Sequence, residues 1–259
     1  MMAGVMQKAA LCGGLARYLD NAALSDYTIV CNDKQWEVHR LVLSLHSAVF
    51  AKACDGQLAE AKDMKYDLSS YGKNEVEALI KYLYTFDYTV EGKEVREHLL
   101  LHVSMCCIAD KYDITPLRQL TVGKFKDTIL NVKASNELVG AIEIAYGFYG
   151  ATADIRDSMV QLLAERFSFL DDVPGNKALL EAMQSHPNLA IEVVRATTKK
   201  YARGLTPVNG QGPVFQCPQK ACRAIFQDPD IKAGYPFYKC PQCSVSQSGT
   251  MWHKYYALA

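Results

Sequence analysis

No stretch of about eighteen consecutive apolar residues occurs in this 259-residue sequence, so no helix is expected to span a membrane. Lys8 interrupts the partly apolar start, and no charged leader precedes an apolar run, so no secretory signal is expected. Asn-x-Ser/Thr sequons are missing as well, which favours a cytoplasmic or nuclear setting or both. In a reducing compartment the nine cysteines are thiols or metal ligands rather than disulfides. Catalytic patterns are equally absent. There is no phosphate-cradling glycine loop, no nucleophile elbow and no His-Glu-x-x-His, so the expectation is a protein that is not an enzyme.

The chain also lacks an excess of either charge, with 28 Lys+Arg against 28 Asp+Glu. The balance hides an asymmetry. Residues 1–194 hold 19 basic and 26 acidic residues, whereas 195–259 hold nine basic residues and only two acidic ones, Asp228 and Asp230. An acidic body therefore precedes a basic end.

Along the body, Met6, Leu11, Leu15, Tyr18 and Leu19 follow a helical period over 6–20. Asp26 to Cys31 and Gln35 to Val38 read as strands of a hairpin about the turn Asn32-Asp33-Lys34. Helical periodicity resumes over 39–50 through Leu41, Val42, Leu45, Val49 and Phe50, where Ser47 can cap a second short helix, and Tyr66 to Leu68 is a brief strand. Helices are predicted over 75–86, 97–111 and 114–130, the last entered at Thr115-Pro116. From Asn131 onward only helices are expected, at 137–149, 152–169, 176–184 and 187–203. Three glycines and two prolines within 204–213 mark a linker.

The strongest chemical signal follows it. Cys217-x4-Cys222 and Cys240-x2-Cys243 are two close pairs, each of which can supply half of a tetrahedral thiolate site for one structural Zn2+. A segment this short cannot bury enough core to fold alone, so metal binding would supply its folding free energy. Lys220, Arg223 and Lys239 beside the ligands offset the site's negative charge, and His253 is a weaker alternative ligand. Aromatic residues including Phe215, Phe226, Phe237, Tyr238 and Trp252 either pack the module or stack on nucleic acid. His98 and His102 share a helix face, but no third ligand accompanies them and no metal is expected there.

Leu24 to Val30, Trp36 to Leu43, Ser47 to Phe50, Leu83 to Tyr88 and Ala109 to Ile114 together resemble a BTB/POZ domain in order and spacing. The helical run 137–196, with Ile155-Arg156 and Pro187 to Ala190, resembles the extension that follows the domain in fungal-type members. The resemblance implies an α+β fold, a small three-stranded sheet capped by helices. It divides the chain into a BTB domain (6–130), a helical extension (131–203), the linker (204–213) and a zinc-ribbon-like module (214–250). It implies an interaction protein that homodimerises, with Leu15, Leu19, Asp26, His39 and Arg40 at the interface. Leu58-Ala59-Glu60 falls where some members carry the hydrophobic-x-Glu element that engages a cullin ubiquitin-ligase scaffold, which places Leu58 and Glu60 at that contact. Two readings follow. One is a scaffold or ubiquitin-ligase adaptor that selects an unknown protein substrate. The other is a nuclear regulator whose basic ribbon touches nucleic acid.

Overall fold

The structure, a computed structural model, describes residues 13–19, 21–55, 59–202, 214–227 and 237–252. The chain divides into two compact units, 1–189 and 190–259. Of the helix expected over 6–20, the described part is a helical turn at 13–16 whose i→i+3 bonds continue to Leu19; residues 1–12 and 20 lie outside the described set.

In the first unit, β1 (Tyr27–Cys31) and β2 (Lys34–Val38) pair antiparallel, with Tyr27 opposite Val38 and Cys31 opposite Lys34. Tyr27, Ile29 and Cys31 alternate inward with Trp36 and Val38, the period-two pattern of a half-buried sheet. Asn32 in the turn takes φ 52°, a left-handed conformation that asparagine tolerates. The short strand β3 (Lys65–Asp67) joins on the other edge of β1, parallel to it, for the order β2-β1-β3.

Helices α1 (Arg40–His46) and α2 (Ala48–Asp55) follow the hairpin, and α3 (Ala59–Asp63) leads into β3. Ser47, buried between the first two, accepts the Phe50 N–H at 3.1 Å, so it caps α2 as its position suggests, and donates to the Tyr112 carbonyl at 2.6 Å. Phe50 stacks on Tyr112 with ring centroids 4.5 Å apart, which ties α2 to the end of α5. Next come α4 (Lys73–Thr85), α5 (Val95–Lys111) and α6 (Thr115–Ile129), the last with proline in its first turn. The core lies between the sheet and these helices around Ile29, Leu43, Phe50, Leu79, Leu83 and Met105.

Beyond the family-like segment the chain adds α7 (Val139–Gly147), α8 (Ala153–Glu165) and α9 (Lys177–Ser185), and α10 (Pro187–Ala202) begins at its proline. Against the continuous helix expected over 152–169, α8 ends at Glu165. Arg166 turns its guanidinium to the carbonyls of Leu130 and Val132, and Phe167–Leu170 continues as a 3-10 turn.

His98 and His102 do share a face of α5, yet each has its own partner. His102, 3 % exposed, meets the Tyr88 hydroxyl at 2.7 Å, and His98 Nε2 meets the Gly92 carbonyl at 3.1 Å. Burial, helped by Lys124 and His98, pushes the His102 pKa down to about 4 from 6.5. Because the folded value is the lower one, the stability this neutral histidine contributes is present above about pH 6.5 and is lost as pH falls toward 4. Urea unfolding of His102→Gln at pH 7 and pH 4.5 is expected to show an acid loss smaller than the parent's by about 2–3 kcal/mol. An equal loss in both proteins would remove His102 from the acid response.

Candidate metal centre and interaction surface

In the second unit, β4 (Val214–Gln216) pairs with β5 (Ile225–Gln227), and β6 (Tyr238–Lys239) with β7 (Ser246–Gln247). Each hairpin carries one cysteine pair in its turn, and the two turns are built alike. Cys217 N–H bonds the Ala224 carbonyl at 2.8 Å, as Cys240 N–H bonds that of Val245 at 2.9 Å. The residue after the second cysteine is left-handed in both, Arg223 at φ 45° and Ser244 at φ 56°. A backbone N–H two residues on reaches back to each sulfur: Gln219 to Cys217, Ala224 to Cys222, Gln242 to Cys240 and Val245 to Cys243. Such donors stabilise thiolate over thiol.

The four Sγ atoms lie within 4.8 Å of one another, with Cys217 to Cys243 at 3.6 Å and Cys222 to Cys240 at 3.8 Å. A tetrahedron with metal–sulfur bonds of about 2.3 Å has sulfur–sulfur edges of about 3.8 Å, whereas a disulfide needs about 2.05 Å. The spacing therefore suits four thiolates around one ion. Burial pushes the Cys217 and Cys222 thiols up. At Cys243, on the exposed edge, burial is the largest single influence and pushes the thiol up, but the Val245 N–H and the three neighbouring sulfurs together outweigh it and leave its pKa below the usual thiol value. Four protein ligands leave no open position for a reacting water, so a metal here would be structural. Phe215, Phe226 and Trp252 pack beside Cys217 and Cys240, and α11 (Gly249–Trp252) carries the tryptophan whose Nε1 donates to the Tyr238 carbonyl at 3.1 Å. His253 and the linker 204–213 lie outside the described residues.

In the first unit, the residues expected at the dimer contact gather at the open end of the hairpin, where they bond inward. Asp26 accepts the Arg40 N–H at 2.8 Å and so caps α1 from fourteen residues away. Arg40 reaches the Asp55 carboxylate and, at 2.6 Å, the Cys54 carbonyl, joining the ends of α1 and α2. Tyr84 accepts the His39 backbone N–H at 3.0 Å and meets Nδ1 at 2.7 Å, while Nε2 faces the Ala23 carbonyl at 2.9 Å. In the neutral ring Nε2 must then be the donor, with Tyr84 donating to Nδ1. Leu15 and Leu19 pack partly buried against the core.

Residues 15–128 match the family model described as the BTB/POZ domain. This segment is a BTB/POZ domain. The BTB domain is a protein–protein interaction module, and among its described residues the most exposed large apolar side chains are ones the sequence did not place at a contact. Leu41 and Leu45, one turn apart on α1, are 70 % and 72 % exposed, and Leu24 is 80 % exposed on the segment that His39 and Asp26 tie to the start of that helix. Helical periodicity had grouped Leu41 and Leu45 with Val42 as one apolar face, but Val42 and Leu43 are the buried pair. Of the element expected at the cullin contact, Leu58 lies outside the described residues; Glu60 is half-buried on α3, its carbonyl accepting the Tyr27 hydroxyl at 3.1 Å.

A curated relative, "ARM repeat protein interacting with ABF2" of Arabidopsis thaliana, is 22 % identical over 183 residues, covering 71 % of this chain and 24 % of its own length. The chain thus spans about a quarter of that relative. Among the described residues, no helix is long and apolar enough to cross a membrane.

Proposed function

We propose that this chain is a self-pairing adaptor in which the BTB domain joins two copies, the helical extension and C-terminal module select a protein substrate, and Cys217, Cys222, Cys240 and Cys243 hold one structural zinc ion. The observation that carries the pairing is the exposed leucine set Leu24, Leu41 and Leu45. Three large aliphatic side chains displayed together on an interaction domain are the kind of surface a partner covers. Asp26, His39 and Arg40 support that surface by fixing its backbone, and the proposed contact also takes in Leu15 and Leu19. An adaptor role is in keeping with the relative named for its interaction with another protein. A cullin scaffold is the proposed second partner, engaged at Leu58 and Glu60.

Two differently tagged copies of the chain are expected to co-purify, and a cullin to precipitate with the parent and not with Glu60→Lys. Copies that never co-purify contradict the pairing; cullin capture unchanged by Glu60→Lys, or absent from the parent, contradicts that contact.

A nucleic-acid role in the nucleus is the second reading, supported by charge. The described residues of the metal module hold Lys220, Arg223 and Lys239 and no carboxylate, and Phe237 is 73 % exposed.

A further inference from the structure

The first unit holds a trough of about 710 Å³, within the range of ligand-binding sites and used by none of the features above. Its walls are α4 and α5, with the loop Thr89–Glu91 and Ile144 of α7 also lining it. The apolar lining is Ala78 and Leu101, both buried, with Val90, Leu100 and Ile144 half-buried. Ile144 lies beyond the family-matched segment 15–128, so the trough is a joint product of the BTB domain and this chain's own extension.

The trough is held in shape. A Cβ on Gly140 would stand 2.8 Å from Leu100 Cδ2, so the glycine lets α7 seat that leucine. Lys81 donates to Thr89 at 2.8 Å, fastening the loop to α4. Gly92 turns the loop at φ 114°, where a side chain would collide with the Glu97 carboxylate.

Charge at the rim is unevenly satisfied. Glu77 pairs with Lys34 at 3.2 Å, and Glu75 accepts the Gly72 N–H. The carboxylates of Glu91 and Glu97, both exposed, have no hydrogen-bonded or ionic partner among the described residues; of the two rim lysines, Lys81 is taken by Thr89 and the Lys73 ammonium is free. An apolar floor under a rim with surplus carboxylate is the complement of a basic amphipathic helix.

We infer that this trough receives a helical segment of a partner protein, its aliphatic side chains on Leu100, Leu101 and Ile144 and its lysines or arginines at Glu91 and Glu97. The inference rests on the reading of the chain as an interaction module, and it is independent of self-pairing and of zinc.

Fluorescence anisotropy on the full chain tests it with two labelled fourteen-residue probe peptides. Both carry leucine at positions i, i+3, i+4 and i+7, one with lysine elsewhere and one with glutamate. The lysine peptide is expected to bind at least tenfold more tightly. Glu91→Lys/Glu97→Lys should weaken it tenfold or more and strengthen the glutamate peptide, and Ile144→Gln should weaken both. Leu45→Glu, aimed at self-pairing, should leave the preference intact, which separates failure here from failure of the dimer. No binding of the lysine peptide, equal affinity for the two peptides, or lysine-peptide binding indifferent to the charge reversal would overturn the inference. The reversed residues are exposed, so that variant decides the matter even if Ile144→Gln unfolds.

Discussion

Purified protein is expected to contain one zinc ion per chain, and Cys240→Ser to lose it, with residues 214–252 unfolding as a consequence. Among the described residues the buried core of this module is Phe215, Cys217, Ala224, Phe226, Cys240 and Trp252, and two of those six are proposed ligands. A core so small stands far below what a self-sufficient domain needs, while a four-thiolate zinc site supplies roughly 10–16 kcal/mol of binding free energy at neutral pH. Removing one sulfur also leaves Trp252 without the packing that buries it. The chain has only two tryptophans, Trp36 in the BTB sheet and Trp252 here, both buried. A chelator should therefore shift about half of the indole emission to the red, and the same chelator should leave a Trp252→Phe variant unchanged. Cys106→Ser, which alters a buried thiol of α5, should keep full metal content. Zinc retained at one per chain by Cys240→Ser would refute the assignment, and the visible absorption of an iron–thiolate centre would replace zinc with iron.

Leu41→Glu/Leu45→Glu is expected to weaken self-association by at least about 100-fold, near 3 kcal/mol, with little effect on the fold. Both side chains are more than two-thirds exposed, and surface substitutions of this kind usually change stability by less than about 0.5 kcal/mol. Against a partner copy, however, two carboxylates would be buried without counter-charges, which is strongly unfavourable. Asp26→Ala makes the informative contrast. Its carboxylate caps α1 from inside the domain, so its loss should lower stability by about 1 kcal/mol and loosen pairing only indirectly. Urea melts read the first effect and concentration-dependent sedimentation the second.

What could be read from the sequence follows from how far apart the cooperating residues lie. The hairpin, the cap at Ser47 and the proline start of α6 are local patterns, and the structure has all three. The cysteine pairs were legible for the same reason, since each turn needs only its own few residues; that the two turns come together is the added information of the fold. The roles of Asp26, His39 and Arg40 were not legible in detail, because their partners Tyr84, Cys54 and Asp55 are fourteen to forty-five residues away. Periodicity likewise cannot tell which apolar positions on α1 are covered, and it grouped the exposed Leu41 and Leu45 with the buried Val42. The end of α8 at Glu165 depends on Arg166 reaching carbonyls more than thirty residues back, and α3, five residues long, is too short to show a period. The trough assembles from separate segments and leaves no linear trace.

Self-pairing through the leucine face is the claim on which the adaptor reading stands, and sedimentation equilibrium of the full chain addresses it directly. The account predicts a species of twice the 28.8 kDa chain mass at micromolar concentration, falling to a single chain in Leu41→Glu/Leu45→Glu. A parent protein that sediments as one 28.8 kDa chain throughout, or a variant that still sediments at twice that mass, would contradict it.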